Sequence, residues 1–125
     1  MSQPKKQILI IDDEPMWVRI IEYFLHEQGY EVRSALNGTE ALDALRRFHP
    51  DLILSDVRMP DINGFDLLPL IKQIPSAAAT PVVFFSAIDD FDARKTALAL
   101  GAQDYVVKPF DAQDLTSVLS KYFPK

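Results

Sequence analysis

Cysteine is absent from the 125 residues, which excludes disulfides, thiolate metal sites and cysteine nucleophiles and fits a reducing compartment. Glycine is scarce. Gly29, Gly38, Gly64 and Gly101 form neither a GxGxxG turn nor a Walker A loop, so the backbone cradle that nucleotide phosphates need is not encoded. Basic charge is in deficit. Thirteen Lys and Arg stand against 18 Asp and Glu, for a net charge of −5 and a pI near 4.9, which argues against broad attraction to nucleic acid or anionic lipid and favours basic partners or cations. Long apolar runs are missing too. The longest, such as 8–11 and 82–85, fall far below the roughly 18 residues that span a bilayer, and residues 2–6 lead into nothing that resembles a signal peptide. The expected setting is cytoplasmic, with no membrane and no direct nucleic-acid binding.

What remains is enough to fold. Hydrophobic residues make up 48% and charged residues 25%, far from the composition of disorder, and the length predicts one domain over 1–125 on a prior of roughly 150 residues each. Five short apolar runs, at 7–11, 30–35, 52–55, 82–85 and 105–107, predict strands. The first, third and fourth are continuously apolar, as in strands covered on both faces.

Between the strands the apolar period is helical. Trp17, Ile20, Ile21 and Phe24 form one stripe, entered at Pro15 and stopped at Gly29. Ala41, Ala44, Leu45 and Phe48 form a second after Asn37-Gly38. Leu115, Val118, Leu119 and Tyr122 form another, with Asp111 as its N-cap and Asp114 in its first turn. Residues 90–100 predict a helix ending at Gly101. A helix over 65–73 contains Pro69, which should kink or delay it. Five β-α units in series predict an α/β fold, an open parallel doubly wound sheet with helices on both faces.

Such sheets place their sites beyond the carboxyl ends of the strands. Here those ends carry Asp12, Asp13 and Glu14 after strand one, Asp56 after strand three, Ser86 after strand four, and Lys108-Pro109 after strand five. In the flavodoxin-like order 2-1-3-4-5 they converge. Carboxylates gathered within ~4–6 Å repel by roughly 1–4 kcal/mol per pair at effective dielectrics of 80 to 20, so positive charge must compensate. Lys108 supplies one charge, and a hard divalent cation such as Mg²⁺ suits the remainder. Helix capping by Asp13 or Glu14 is the simpler account of those acids alone, but it explains neither Ser86 nor Lys108. Acids, a hydroxyl and a lysine together form a phosphoryl-transfer set in which a carboxylate can be the nucleophile.

The segments "ILIIDDEP", "DLILSDVRMPDINGFDLL", "PVVFFSA" and "GAQDYVVKPF" resemble the receiver domain of two-component response regulators over essentially the whole chain, the chemotaxis regulator being a member with this strand order. The resemblance implies that Asp56 accepts a phosphoryl group from a histidine kinase or phosphotransfer protein. It implies Mg²⁺ held directly by Asp13, Asp56 and the Arg58 backbone carbonyl, with Asp12 acting through a bound water. Lys108 and Ser86 would contact the phosphoryl oxygens, and Tyr105 would be the coupled switch aromatic. The Lys108-Pro109 peptide would be cis. Output to a further domain, a downstream protein or a second copy would run through the surface of helix four, strand five and helix five.

Arg58 and Ile88, two residues beyond Asp56 and Ser86, would flank the path of attacking water and lengthen the phosphoryl lifetime. Two other functions compete: a phosphate-independent interaction module of the same fold, and a Mg²⁺-dependent phosphatase. The latter normally needs a second acid where this chain has Arg58. His26 and His49 are not expected in catalysis. Trp17 is expected to pack helix one near the acidic site.

Overall fold

The strand runs become a fully parallel sheet because each is followed by a helix that returns the chain across one face. The computed structural model describes residues 5–87, 91–108 and 111–123. The elements alternate without exception: β1 (Gln7–Ile11), α1 (Pro15–Glu27), β2 (Glu31–Ala35), α2 (Gly38–Leu45), β3 (Leu52–Asp56), α3 (Gly64–Lys72), β4 (Val82–Ser86), α4 (Phe91–Ala99), β5 (Asp104–Val107) and α5 (Ala112–Tyr122). The sheet order is β2-β1-β3-β4-β5, as predicted. Its register sets Ile11 beside Ser55, Asp56 beside Phe85 and Ser86 beside Val107. Those pairings align the carboxyl ends of β1, β3, β4 and β5.

Alternation along the strands sorts the core into two layers. Leu9, Ile11, Ile53 and Phe84 pack with Ala41, Leu45, Leu67, Ile71 and Ala97 of α2, α3 and α4. Ile8, Ile10, Leu54 and Phe85 pack with Val18, Ile21, Leu25, Leu115 and Leu119 of α1 and α5. β3 and β4 are buried at every residue, whereas β2 lies at the sheet edge and buries only Ala35 fully. No helix among the described residues is long and apolar enough to cross a membrane.

Two sequence expectations change. α1 buries Val18, Ile21 and Leu25; of the expected stripe Ile21 is buried, Trp17 and Phe24 are partly buried against the same core, and Ile20 is 56% exposed. Its apolar arc from Trp17 to Leu25 is wider than the buried face, so period alone could not fix the phase. α3 begins at Gly64 and runs unbroken through Pro69. There is no delay, because Asn63 caps its start by accepting from the Asp66 amide at 2.9 Å, and Pro69 lies on the exposed side.

Gly64 makes the tightest approach near the strand ends. Its amide donates to the Val57 carbonyl at 2.7 Å. A side-chain carbon there would stand 2.5 Å from the Asp56 carbonyl oxygen and 2.8 Å from Cε1 of Phe84, closer than packing tolerates. Gly64→Ala is therefore expected to push back the end of β3 and cost about 1–3 kcal/mol in urea unfolding.

Candidate functional site

Asp12 leaves β1 still in the ladder, its amide donating to the Ala35 carbonyl at 3.0 Å, and is completely buried. A buried carboxylate needs partners. Oδ1 accepts from the Glu14 amide at 3.0 Å and Oδ2 accepts from Lys108 Nζ at 2.8 Å. Asp56 closes β3. Its Oδ1 accepts from the Val57 amide at 2.7 Å, and its Oδ2 lies 3.3 Å from the same Lys108 ammonium. Lys108 in turn is pinned at the end of β5 by its amide, which donates to the Ser86 carbonyl at 2.7 Å.

Glu14 occupies the N-cap of α1 yet makes no side-chain capping bond. Its Oε1 lies 3.6 Å from Lys108 Nζ instead, so capping does not account for this acid. The rings of Trp17 and Phe85 each lie 5.1 Å from that ammonium, where their faces attract a cation. Carboxylate oxygens of Asp12, Asp13, Glu14 and Asp56 all fall within 4.8 Å of one another. They open on a pocket of about 280 Å³ lined by Asp13, Glu14, Asp56, Arg58, Ser86, Ala87 and Lys108.

Burial first, and the neighbouring Asp12 charge, push the Asp56 carboxyl up to about 6 against the opposing pull of Lys108. Burial works to lower the Lys108 ammonium, but its hydrogen bond to Asp12 and the charges of Asp56 and Asp12 outweigh that and raise it. The lysine stays charged at neutral pH while the site resists ionising Asp56. Four carboxylates against the one ammonium bonded to them leave negative charge in excess. An all-oxygen donor set of this kind can hold a hard divalent cation such as Mg²⁺.

The fold thus brings Asp13, Asp56, Arg58, Ser86 and Lys108 to one pocket, with Asp12 buried behind it on Lys108. Tyr105 is not in it. It is buried in the core layer of α2, α3 and α4, with the Arg94 guanidinium 5.4 Å from its ring centre and bonded to its carbonyl at 3.3 Å. Ile88 and Pro109 lie outside the described residues. His26 and His49 are exposed and remote from the pocket. Sequence reasoning gathered Glu14 with the strand-end acids but gave it no role of its own, and it passed over Phe85 as a site residue. Glu14 had a signal in the acidic triplet, whereas Phe85 looked like any core aromatic.

Residues 8–120 match the response regulator receiver domain family. The transcriptional regulatory protein CrdR of Helicobacter pylori is 36% identical over 119 residues, covering 95% of this chain and 55% of that protein. TrcR of Mycobacterium tuberculosis, a transcriptional regulatory protein, is 34% identical over 90% of this chain and 43% of its own length. The chain spans about half the length of these curated relatives. The chemotaxis protein CheY4 of Vibrio cholerae superposes with a TM-score of 0.91 at 28% identity, over 96% of this chain and all of that one. The chain belongs to the receiver domain family of two-component response regulators.

Proposed function

We propose that residues 1–125 act as one phosphoacceptor switch in which Asp56 takes a phosphoryl group from a histidine kinase or phosphotransfer protein. The observation that carries this is the buried Asp56 carboxylate, 3.3 Å from Lys108 Nζ, in a pocket it shares with Ser86 and the acids after β1. An oxygen of Asp56 attacks the phosphorus of the donor's phosphohistidine. The P–N bond breaks, its electron pair stays on the imidazole nitrogen, and an acyl phosphate forms.

Asp13, Asp56 and the Arg58 carbonyl would hold Mg²⁺, with Asp12 acting through water. Bound there, the ion supplies positive charge against the phosphoryl oxygens. Lys108 would neutralise the same oxygens, and the Ser86 hydroxyl would donate to one of them. The domain is a switch and no enzyme beyond self-phosphorylation and slow autodephosphorylation.

Phosphorylation adds about −1.5 to −2 charges, which bias an equilibrium only through contacts better made in one state. Ser86 and Lys108 make those contacts. Because the Lys108 amide is bonded to the Ser86 carbonyl, the ends of β4 and β5 move as a unit. Tyr105 and Arg94 pass the change to the surface of α4, β5 and α5, where an output domain, a downstream protein or a second copy docks. Arg58 and Ile88 hinder water at the acyl phosphate. Arg58→Ala is expected to shorten its lifetime severalfold, measured as decay of phosphoprotein after donor removal, and an unchanged lifetime would refute that role.

Intact-mass analysis after incubation with acetyl phosphate tests the function. One phosphoryl group is expected on wild type with Mg²⁺, and none with chelator or on Asp56→Ala. No addition to wild type, under conditions where a known receiver reacts, would favour the phosphate-independent module.

A further inference from the structure

The loop 57–63 carries Arg58 along the rim of the pocket, but its far end is tied to α2. The Asp61 carboxylate accepts four hydrogen bonds there. Oδ1 accepts from the Gly38 and Ile62 amides at 3.0 and 2.7 Å. Oδ2 accepts from the Thr39 amide at 2.9 Å and the Thr39 hydroxyl at 2.6 Å. Three of these bonds join residues 22 or 23 apart in sequence.

α2 does not need Asp61 as its own cap. Asn37 already accepts from the Glu40 amide at 2.8 Å, so Asp61 takes the two preceding amides, which that cap leaves unserved. The positive end of the helix dipole favours the anion at this position. Bonds from the Thr39 hydroxyl first, then the Thr39 amide, hold the Asp61 carboxyl well below the usual carboxylate range. Beneath the clasp, Gly38 leaves space that Ile62 fills: a side-chain carbon on Gly38 would stand 2.9 Å from Ile62 Cβ. A polar clasp and an apolar contact thus fasten one loop to one helix start.

We infer that Asp61 is a positioning residue for the phosphoryl reaction: by locking the loop after Asp56 onto α2, it holds Arg58 at the pocket rim so that its backbone carbonyl can complete the cation site. The inference rests on the function proposed above. It assigns to the fifth residue beyond the acceptor a role it performs without touching the pocket.

The test is Mg²⁺ titration by calorimetry of wild type, Asp61→Ala, Asp61→Asn and Asn37→Ala, alongside thermal unfolding and phosphoryl uptake from acetyl phosphate. Asp61→Ala is expected to bind Mg²⁺ about tenfold more weakly, the low end of what loss of an outer-shell support does to a metal site. Its uptake rate should fall at subsaturating Mg²⁺ and recover at saturation. Asparagine, which keeps one oxygen acceptor, should restore part of the affinity. Asn37→Ala should lower the unfolding temperature by loosening α2 directly and leave Mg²⁺ affinity unchanged.

Wild-type affinity in Asp61→Ala would overturn the inference, as would equal weakening by Asn37→Ala, which would reduce the effect to helix stability. Should Asp61→Ala not fold, Thr39→Val carries the same test with about threefold weakening, as for one hydrogen bond, and wild-type affinity there overturns the inference. A wild type that neither binds Mg²⁺ nor takes up phosphoryl would sink the proposed function as well. A wild type that does both, with an indistinguishable Asp61→Ala, would sink the positioning role alone.

Discussion

Lys108→Ala is expected to destabilise the metal-free protein by about 3–5 kcal/mol at neutral pH, the range for removing one partner from a buried ion pair. Asp12 sets the size of the effect. It is completely buried, and its Oδ2 accepts from Lys108 Nζ at 2.8 Å, so the variant strands a carboxylate that water does not reach. Asp56, with its own oxygen 3.3 Å from the ammonium, loses the same countercharge. Three recoveries distinguish this cause from general misfolding. Saturating Mg²⁺ should return about 2–3 kcal/mol, as ligation of the native state at 100 times its Kd does. Acidification should return stability by protonating the orphaned acids. Asp12→Asn in the Lys108→Ala background should cost less than the sum of the two single changes. Urea unfolding of the single and double variants, with and without Mg²⁺ and over a pH series, reads all three, and a loss below about 1 kcal/mol, the value of an exposed pair, would contradict the assignment.

The second large effect has the opposite sign. Asp56→Asn should abolish phosphoryl uptake while making the metal-free protein more stable above pH 6. The Asp56 carboxyl is pushed up to about 6 from 3.8, chiefly by burial. Between those values the native state holds a proton that the unfolded chain has released. Stability therefore falls as pH rises through that window, and the penalty is complete above it. At 1.36 kcal/mol per pKa unit the ceiling is about 3 kcal/mol, and solvent at the pocket mouth reduces it to about 1–2 kcal/mol. Asparagine removes the titration. The difference in unfolding free energy between wild type and Asp56→Asn should grow from pH 4 to pH 6 and then level. Mg²⁺ should erase it by stabilising the wild-type carboxylate. A flat difference across that range would show that Asp56 is not held against ionisation.

The contrast defines how the site is built. Lys108 is the side-chain partner that compensates the burial of Asp12, which makes its expected contribution to stability large. Asp56 is held at a cost to stability, as a carboxyl whose ionisation burial opposes, and the proposed phosphoacceptor role would account for keeping it there.

The strand ends were legible because burial on both faces writes a continuous apolar run, and an acid or lysine closing such a run is conspicuous. Asp12, Asp56, Ser86 and Lys108 could be assigned to one crevice once the sheet order was inferred. The phase of α1 was not legible, since Trp17 and Ile20 are as apolar as Val18 and Leu25 and only docking on Ile8 and Ile10 decides among them. Pro69 looked more disruptive than it is because the cap by Asn63 had no periodic signal. The Asp61 clasp was invisible for a stronger reason. It joins a loop to the start of α2 through bonds spanning 22 or 23 residues, and nothing local distinguishes Asp61 from any turn aspartate. Glu14 was legible as one of the acids after β1, but its own contact was not: its side chain makes no capping bond and lies 3.6 Å from Lys108 Nζ.

The most direct test of the central claim is to trap the acyl phosphate chemically. After reaction with acetyl phosphate and Mg²⁺, borohydride reduction converts an aspartyl phosphate to homoserine, which peptide mass spectrometry locates. Homoserine at position 56 alone, and none when Mg²⁺ is chelated, is the expected result. Phosphate on Ser86, His26 or His49, or reduction at Asp12 or Asp13 with Asp56 intact, would contradict it.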